Sequence, residues 1–348
     1  MHSVPTVKVL PWPYWTGNPY LPRFCNELES HGVSIVRARW TRLGVWRLRG
    51  GDWIHFHWPG ALLMSRDRDR YKRRIERWTR RIDDLRTRGV RMCWTAHNLW
   101  PHDDPHPDLG RIARLAMVER LDHVLVHFAG AIPMLAEELG WRGPTTVVPH
   151  GHYGDIYGTP GDASATRRAL RLPADGLVLL LLGYLRPYKG IGTAITAFRR
   201  VARDDDRLII AGRPEGDVDG ELAEARGERR IMLRLERIPS HEIAGYHGAA
   251  DAFLMSHRAS FTSGAAVMAL SMGCPVIGAS GPHLASLGPE PRVFTAAASD
   301  PDAIADAIER RRAAGPIDRD AIRSWTRVHL SWSLAARRAA AVFQEAAC

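Results

Sequence analysis

The stretch that decides the fold is LVLLLLGYLRPYKGIGTA, residues 177–194. Its first part, 178–182, is an unbroken apolar run of strand length, which is typical of a buried strand in a parallel sheet. A loop flanked by glycines follows at 183–190, and a helical pattern begins near residues 191–193. A strand, a short glycine-flanked loop and a helix in this order bring backbone N–H groups and a helix N-terminus toward one point. The stretch therefore predicts a Rossmann-like unit with an anion site at the loop.

Two cations on this loop indicate which anion it binds. Arg186 and Lys189 lie three residues apart, and Lys189 is one of only three lysines in the chain. A guanidinium and an ammonium on one short loop match the charge of a diphosphate. We therefore predict that Gly183, Arg186 and Lys189 hold a diphosphate. The alternative is a plain strand-to-helix turn with two surface cations.

Strand-like and helix-like segments alternate along the chain, and the alternation runs twice. In the first half, the predicted strands are 7–10, 34–37, 53–57, 91–95, 124–127 and 146–148, and the predicted helices are 21–30, 69–88, 110–120 and 131–139. In the second half, the predicted strands are 178–182, 208–211, 231–235, 252–255 and 275–278, and the predicted helices are 193–203, 220–227, 242–248 and 264–272. Strands separated by helices predict βαβ units and parallel, doubly wound sheets.

The repeat of this pattern predicts an α/β chain of two Rossmann-like domains. We place the first domain at 1–155 and the second at 156–330. A segment rich in Gly, Pro, Asp and Thr, 155–175, marks the linker region. The last residues, 302–312 and 331–346, read as helices, and we expect 331–348 to pack back on the first domain. Two such domains face a cleft in which ligands bind.

Composition limits the classes of function. The chain has 348 residues, a formal net charge of +10 and four cysteines without a CxxC pair. We see no signal peptide and no apolar run of the roughly 20 residues that a membrane helix needs, so we expect a cytoplasmic protein. The basic balance suits anionic donors rather than nucleic acid. A basic helix at 67–88 adds an alternative, peripheral contact with the inner membrane face or a lipid-linked acceptor.

The loop sequence G-x-L-R-P-Y-K-G-I resembles the donor loop of glycosyltransferase family 4 and its GT-B relatives. Four other motifs resemble the family in the expected order, and they are GNPY at 17–20, VPHG at 148–151, AADAFL at 249–254 and MALSMGCPVI at 268–277. The resemblance implies a GT-B fold and transfer of a hexose from a GDP- or UDP-linked donor. The acceptor would be a hydroxyl of a carbohydrate, a lipid-linked sugar or a natural product.

The resemblance also assigns roles to individual residues. It places Arg186 and Lys189 on the donor pyrophosphate. It further implies donor-side roles for His150 and Gly151, whose motif closes the first domain with His in place of the usual Asn. Gly17 and Asn18 match the acceptor-side loop after the first strand.

One departure from the family concerns its two glutamates, which stand eight positions apart. The matching positions are Ser260 and Met268, so both carboxylates are missing. SFTSGAA at 260–266 instead enters a helix, with Thr262 or Ser263 as N-cap. Amides near Ser263 and Gly264 would bind the pyrophosphate. This version resembles a bacterial exopolysaccharide-type subgroup that lacks the paired glutamates.

The first half contributes a histidine-rich edge. In WTAHNLWPHDD, 94–104, the family resemblance places His97 near the transferring sugar. Asp103 and Asp104 are the further ionisable groups, and the alternative is a polar turn without a catalytic duty. His57 and its strand neighbour His55 point to one face and would shape the acceptor side. No third metal ligand is evident there, so we expect no metal site.

The expected chemistry requires little acid–base equipment, because a nucleoside diphosphate leaves once its charge is neutralised. The resemblance implies a retaining, metal-independent reaction without a cofactor; if the reaction inverts, Asp103 or Asp104 would be the base. The competing functions are a GT-B sugar-nucleotide epimerase or phosphorylase, and a degenerate donor-binding or partner subunit without catalysis. A nicotinamide dehydrogenase is disfavoured because no GxGxxG follows the first strand.

Overall fold

The computed structural model describes residues 7–37, 45, 47–101, 103–256 and 261–345. The chain forms two compact units, one of Met1–Gly151 with Ser331–Cys348 and one of His152–Leu330. Each unit is an α/β sandwich around one parallel sheet. The fold class predicted from the sequence, two Rossmann-like parallel sheets, is confirmed.

The first unit contains a sheet of six parallel strands in the order β2-β1-β3-β4-β5-β6. Its strands are β1 Lys8–Trp12, β2 Ser34–Ile35, β3 Trp53–Phe56, β4 Arg91–Thr95, β5 His123–Val126 and β6 Thr145–Val147. Its helices are α1 Tyr20–Ser30, α2 Gly60–Leu63, α3 Arg68–Thr87, α4 Pro107–Val118, α5 Ala131–Leu139 and, from the end of the chain, α15 Trp332–Glu345. Strand β3 is buried throughout, as a strand covered by helices on both faces must be.

The longest helix, α3, shows how charge and packing coexist. Its apolar side chains recur every three or four residues and are buried, and they are Tyr71, Ile75, Trp78, Ile82 and Leu85. The Asp67 side chain accepts from the Arg70 N–H and begins the helix. The opposite face is charged and exposed. Among the described residues, no helix is long and apolar enough to cross a membrane.

The last helix, α15, belongs to the first unit. It packs against α1, and the Trp53 Nε1–H donates to the Phe343 carbonyl at 3.2 Å. The Arg338 guanidinium donates to the Val147 carbonyl beside β6. Trp332, at the start of α15, is only 2% exposed. The first core is therefore completed by residues that follow the whole second unit in sequence.

The second unit also contains six parallel strands, in the order β12-β11-β10-β7-β8-β9. Its strands are β7 Val178–Leu182, β8 Arg207–Ala211, β9 Ile231–Arg234, β10 Ala252–Met255, β11 Val276–Ala279 and β12 Val293–Ala296. Its helices are α6 Gly154–Tyr157, α7 Ala163–Ala169, α8 Ile191–Val201, α9 Asp219–Ala225, α10 Ser240–Ala249, α11 Gly264–Ser271, α12 Pro282–Ser286, α13 Pro301–Ala313 and α14 Arg319–His329. A 3-10 turn, Pro187–Lys189, precedes α8.

Several elements of this unit escape the sequence pattern. The edge strand β12 has only four residues, too few for an apolar periodicity to show. Helix α14 is rich in charge, and only Ile322 and Thr326 are buried. The region 155–175, which the sequence predicts as linker, contains part of α6 and all of α7, both short helices without buried residues. The short strand β12 and the unburied helices α6 and α7 therefore leave little periodic signal in the sequence, whereas α14 is amphipathic and the sequence analysis does not identify it.

Candidate functional site

The loop after β7 has the backbone that its glycines allow. Gly183 has φ +122° and Gly190 has φ +66°, both in the region that favours glycine. Between them, the 3-10 turn carries Lys189 back over the start of the loop. A Cβ atom at Gly183 would lie 3.1 Å from the Lys189 Nζ. Glycine at 183 therefore makes room for the lysine ammonium.

Lys189 forms no ion pair within 4 Å with a described residue, and the Glu215 carboxylate attracts it only from a greater distance. Its Nζ donates to no described residue, and burial lowers the pKa of this lysine to about 8, with the nearby Arg186 charge adding to the effect. The loop itself is held from below, because the Ser256 hydroxyl donates to the carbonyl of Gly190 at 2.7 Å and to that of Lys189 at 3.1 Å. A desolvated ammonium on a fixed loop is a site that an anion would complete.

Arg186 is held differently. Its Nε and Nη2 donate to the Glu215 Oε2 at 3.0 and 2.7 Å, and Arg213 donates to the other carboxylate oxygen. The two guanidinium bonds lower the pKa of Glu215. Sequence reasoning did not identify Glu215, which orients Arg186 and neutralises part of its charge. An anion at this loop therefore meets an arginine that is already positioned.

The N-terminus of α8 differs from the expectation that it points free amides at an anion. The Gly192 N–H donates to the Glu221 carboxylate at 2.6 Å. A carboxylate from α9 thus already occupies the positive end of the helix, as the helix dipole favours. The Gly192 amide is therefore already bound, contrary to the expectation of free amides at this helix start, and Arg186 and Lys189 remain the predicted anion-binding groups of the loop.

Helix α11 begins at the predicted cap. The Ser263 hydroxyl accepts from the Ala266 N–H at 3.2 Å, which selects Ser263 over Thr262 as N-cap. The Ser263 N–H is not free as expected, because it donates to the Nδ1 of buried His283 at 3.3 Å. Gly264 follows as the first helical residue. His283 is a second residue that sequence reasoning missed.

The two positions where the family carries glutamates have separate outcomes. Met268 lies on α11 and packs against the apolar core of the second unit, so this position faces hydrophobic side chains. Ser260 lies outside the described residues. At position 268 an apolar side chain that packs against the core thus stands in place of the family's carboxylate, and no other polar group takes its place there.

In the first unit, histidines follow four neighbouring strands at the carboxyl edge of the sheet. His57, His97, His127 and His150 come after β3, β4, β5 and β6 respectively, and each is at most 9% exposed. The Tyr20 ring contacts all four, with centroid distances of 4.8 to 6.1 Å. The sheet register therefore brings together side chains that lie more than 90 residues apart in sequence.

Three of these rings form a directional chain of hydrogen bonds. The His127 Nδ1 lies 3.0 Å from the Val148 carbonyl, which only accepts, so His127 carries its proton on Nδ1. Its Nε2 lies 3.2 Å from the His97 Nδ1, and the His97 Nε2 lies 3.1 Å from the His57 Nδ1. If all three rings are neutral, each Nδ1 donates and each Nε2 accepts along the chain. We call these residues, with Val148, the histidine chain.

The electrostatics of the site support neutral rings. Burial lowers the pKa of His57 and of His97 well below the usual value, and the neighbouring histidines lower both further. Burial also lowers the pKa of His127 to about 4 and that of His55 to about 3. The histidine chain therefore ends at the His57 Nε2, a buried nitrogen without a hydrogen-bond partner among the described residues.

The histidine chain has consequences for the predicted role of His97. Both of its ring nitrogens are bound to other histidines, and the Trp58 ring stacks on it at 4.3 Å. A sugar hydroxyl would have to take the place of the His57 N–H at the His97 Nε2. Among the described residues, no group of three or more His, Cys, Asp or Glu is arranged to hold a metal ion.

His150 and Gly151, predicted on the donor side, lie in the first unit. The His150 Nδ1 lies 2.9 Å from the Gly151 carbonyl, and a Cβ atom at Gly151 would lie only 2.1 Å from the Trp332 ring. Glycine is thus required at 151 for the close approach of α15. This packing role accounts for the glycine independently of any donor contact.

Gly17 and Asn18, which the sequence predicts on the acceptor side, precede α1. The Asn18 Oδ1 accepts from the Tyr20 N–H at 2.9 Å and so fixes the turn that inserts the Tyr20 ring among the histidines. A Cβ atom at Gly17 would lie 2.6 Å from the Trp15 Nε1. His57, the third predicted acceptor-side residue, is fully buried.

Asp103 and Asp104 are adjacent but differ in their surroundings. Asp104 accepts from the Tyr71 hydroxyl and from the His106 N–H, both at 2.9 Å, so both of its oxygens stabilise the loop before α4. Asp103 is exposed and has φ +55°. Of the two predicted bases, Asp103 is the more exposed residue.

Residues 176–312 match the family model described as Glycosyl transferases group 1. The chain is 26% identical over 263 residues, 75% of its length and 69% of the relative's, to a GDP-mannose:glycolipid 4-beta-D-mannosyltransferase of Xanthomonas campestris pv. campestris. Among solved structures, sucrose-phosphate synthase from Thermosynechococcus elongatus matches with a TM-score of 0.67 at 17% identity, covering 97% of this chain and 96% of that one. Anabaena HepE in complex with UDP-glucose matches with a TM-score of 0.67 at 15% identity, covering 97% and 99%. These two likenesses establish the fold.

Proposed function

We propose that this chain is a GT-B glycosyltransferase of group 1, as the match of residues 176–312 to that family model, the Xanthomonas relative and the shared fold all support. It transfers a hexose from a GDP- or UDP-linked sugar to the hydroxyl of a carbohydrate, lipid-linked or natural-product acceptor. The name of the Xanthomonas relative supports a GDP-linked donor and a glycolipid acceptor, and the HepE complex supports a UDP-linked sugar in this fold.

The observation that carries the proposal is the Lys189 ammonium, which is buried over Gly183 and has no ion-pair partner within 4 Å among the described residues. A diphosphate would neutralise it, with Arg186 already oriented by Glu215. Charge on the leaving diphosphate is then stabilised by fixed cations, and the reaction proceeds without a metal ion or cofactor. Arg186 and Lys189 need no rearrangement to meet the charge of the leaving diphosphate. This preorganisation is the basis of their contribution to the reaction rate.

The start of α11 supplies the second half of the donor site. Ser263 caps the helix, and the Gly264 amide at its first turn lies at the positive end of the dipole. Because Met268 is apolar and packed, we place the chain in a subgroup that holds its donor without the family's paired glutamates. The family resemblance also implies donor-side roles for His150 and Gly151, which belong to the first unit.

For stereochemistry we propose retention, as the resemblance to family 4 implies. Inversion is the second candidate, because the name of the Xanthomonas relative specifies a beta linkage. In that case Asp103, the exposed carboxylate, would accept the proton of the attacking hydroxyl, with Asp104 positioning its loop. The His97 Nε2 would bind a sugar hydroxyl in place of the His57 N–H, and Gly17 and Asn18 would frame the acceptor.

The exposed face of α3 adds a proposal about where the acceptor is met. Seven cationic side chains of α3 are exposed, and they are Arg68, Arg70, Lys72, Arg73, Arg77, Arg80 and Arg86; four exposed carboxylates, Asp69, Glu76, Asp83 and Asp84, offset part of this charge. The surplus of three positive charges contributes about 1 kcal/mol of attraction each to an anionic bilayer surface. We propose peripheral binding to anionic lipid, which would bring the enzyme to a lipid-linked acceptor.

The donor proposal is tested by calorimetric titration of GDP and UDP into the full chain and its variants. We expect Lys189→Ala and Arg186→Ala each to weaken binding of the preferred nucleotide at least tenfold, on the order expected for a charge-assisted phosphate contact. Arg226→Ala, at an exposed arginine directly after α9, is the matched control and retains full affinity. Nucleotide binding that is equal in all four proteins would overturn the diphosphate assignment.

Assays of transfer separate the remaining alternatives. GDP-mannose and UDP-glucose are incubated with the enzyme and a lipid-linked oligosaccharide, and the products are separated by mass and by configuration. A new glycoside supports transfer, and its anomeric configuration decides between retention and inversion. Tight nucleotide binding without any product would favour the degenerate subunit, and an epimerised donor without a glycoside would favour the epimerase.

Membrane binding is tested with vesicles of phosphatidylglycerol and, as control, of phosphatidylcholine. We expect sedimentation with the anionic vesicles only, and loss of it in the triple variant Arg73→Glu, Arg77→Glu, Arg80→Glu. Equal sedimentation of the variant and the parent protein would contradict a role for α3.

A further inference from the structure

The second unit has a cavity of about 510 Å³ at the edge of its sheet opposite the donor loop. It is lined by residues that precede strands, including Gly176 before β7, Asp251 before β10 and Pro275 before β11, and by the segment at Gly315 after α13. In parallel α/β sheets ligands bind at the carboxyl ends of the strands. A ligand at the amino ends would occupy a site distinct from that of the nucleotide sugar.

Four arginines line this cavity, and one of them is neutralised. Arg312 forms an ion pair with buried Asp206 at 2.9 Å. The cavity's own carboxylate, Asp251, accepts from Arg167 and from the Val178 N–H, both at 2.7 Å. Asp206 and Asp251 thus form their ion pairs with arginines other than the remaining three, and Asp251 attracts Arg311 only from a greater distance.

Those three arginines have no carboxylate partner within 4 Å among the described residues. Buried Arg311 donates to the carbonyls of Asp251 and Gly315 at 3.1 and 2.8 Å, and its Nη2 donates to no described residue. Arg319 is bound by four backbone carbonyls at 2.6 to 3.0 Å. Arg203 is exposed, and its side chain contacts no described acceptor. We call the cavity with Arg203, Arg311 and Arg319 the arginine pocket.

The negative ends of two nearby helices offset only part of the positive charge of these three arginines. Helices α8 and α13 end beside the pocket, at Val201 and Ala313, and each C-terminus supplies about half a negative charge. Three guanidinium charges therefore leave a surplus of about two positive charges. A phosphate monoester carries a matching charge, and its oxygens fit the forked donors of arginine.

We propose that the arginine pocket binds a small metabolite that carries a phosphate group. The cavity volume lies within the range of about 300–1,000 Å³ that small-molecule sites occupy and exceeds what a phosphate ion alone fills, so an organic group is held beside the phosphate. Arg311 and Arg203 contact the phosphate. Arg319 donates to four backbone carbonyls and contributes positive charge to the wall of the pocket.

The proposal is tested on the full chain labelled with ¹⁵N-glycine, because glycines report both phosphate sites separately. Gly176 and Gly315 line the arginine pocket, whereas Gly183 and Gly190 report the donor loop. Inorganic phosphate is titrated at constant ionic strength. In the Lys189→Ala variant we expect saturable shifts to persist at Gly176 and Gly315. Shifts confined to Gly183 and Gly190, or no saturable shift at the pocket glycines, would overturn the proposal.

Two matched charge reversals test the pocket directly. In the Lys189→Ala background, Arg203→Glu should weaken phosphate binding at Gly176 and Gly315 by about tenfold or more. Arg226→Glu changes the net charge equally at an exposed site outside the pocket and should leave the affinity unchanged. Equal affinities in the two variants would show general charge attraction and overturn the site. Glucose 6-phosphate serves as the second probe, and binding no tighter than that of inorganic phosphate would overturn the claim that an organic group is held.

Discussion

The His97 Nδ1 lies 3.2 Å from the His127 Nε2, and this contact sets the direction of the whole histidine chain. Because the Val148 carbonyl fixes the proton of His127 on Nδ1, His97 must donate to His127 and accept from His57. A backbone carbonyl at the end of β6 thus determines which nitrogen of His97 offers its lone pair.

The first prediction concerns these tautomers. His57, His97 and His127 should all carry the proton on Nδ1, whereas the Nε2 tautomer is usual for free imidazole. Long-range ¹⁵N–¹H correlation spectra of ¹⁵N-histidine protein measure this directly. In His127→Phe, His97 loses its acceptor and should shift toward the Nε2–H form. An Nε2–H signal for His97 in the parent protein would contradict the assigned direction.

The second prediction is acid sensitivity of the first unit. Burial holds the pKa of His55 at about 3 and of His127 at about 4, below the value near 6.5 expected in the unfolded chain. The unfolded state therefore takes up protons first as the pH falls. The free energy of unfolding should decrease between about pH 6.5 and 4, by about 1.4 kcal/mol per pH unit for each such histidine.

Urea unfolding at several pH values measures this slope. His55→Phe keeps a ring beside Phe343. It should reduce the slope of unfolding free energy against pH by the contribution of one histidine, about 1.4 kcal/mol per pH unit. Substitution of exposed His241 by Gln is the matched control and should leave the slope unchanged. A parent protein with equal stability at pH 6.5 and 4.5 would contradict the prediction.

The third prediction is a pH dependence of donor binding. Because burial lowers the pKa of Lys189 to about 8, the ammonium loses its proton as the pH rises through 8. The affinity for GDP or UDP should fall above pH 8, by up to about tenfold per pH unit. Lys189→Arg keeps its charge throughout this range, so its affinity should be flat between pH 7 and 9. Parallel profiles of the two proteins would exclude Lys189 as the titrating group.

The fourth prediction concerns the contact between Gly151 and Trp332. Gly151→Ala would place a methyl group 2.1 Å from the Trp332 ring, and overpacking of this kind costs about 1–3 kcal/mol of unfolding free energy. Denaturant unfolding followed by tryptophan fluorescence measures the loss. Gly161→Ala, where the added Cβ meets no atom within 4 Å, should change the stability by less than about 0.5 kcal/mol. Equal stability of the two variants would contradict the steric account.

The sequence predicts the two parallel sheets and the loop after β7 because both depend on local pattern. The apolar run of β7 directly predicts a buried strand, and the glycines at 183 and 190 directly predict backbone with positive φ. The cap of α11 is also readable, since Ser263 bonds within its own turn. Local chemistry of this kind does not depend on the rest of the chain.

The sequence does not predict the hydrogen-bond partners of these residues in the same way. Glu215 reaches Arg186 across 29 residues of sequence, and Glu221 reaches Gly192 across 29 as well. The sequence analysis does not single out His127, although a signal exists: VPHG, LVHF, TAHN and HFHW each place a histidine within three residues after a strand of one sheet. Recurrence of one residue type after successive parallel strands predicts that the side chains meet at one edge.

The position of α15 has a consequence for the order of folding during synthesis. All residues of the second unit, His152–Leu330, leave the ribosome before Trp332 can fill the space beside Gly151. The second unit can therefore reach its native state while the first still exposes the surface of α1 that α15 covers. The first unit is therefore synthesised first but completes its folding last, after α15 has left the ribosome. Until then its exposed apolar surface is where a chaperone would be needed.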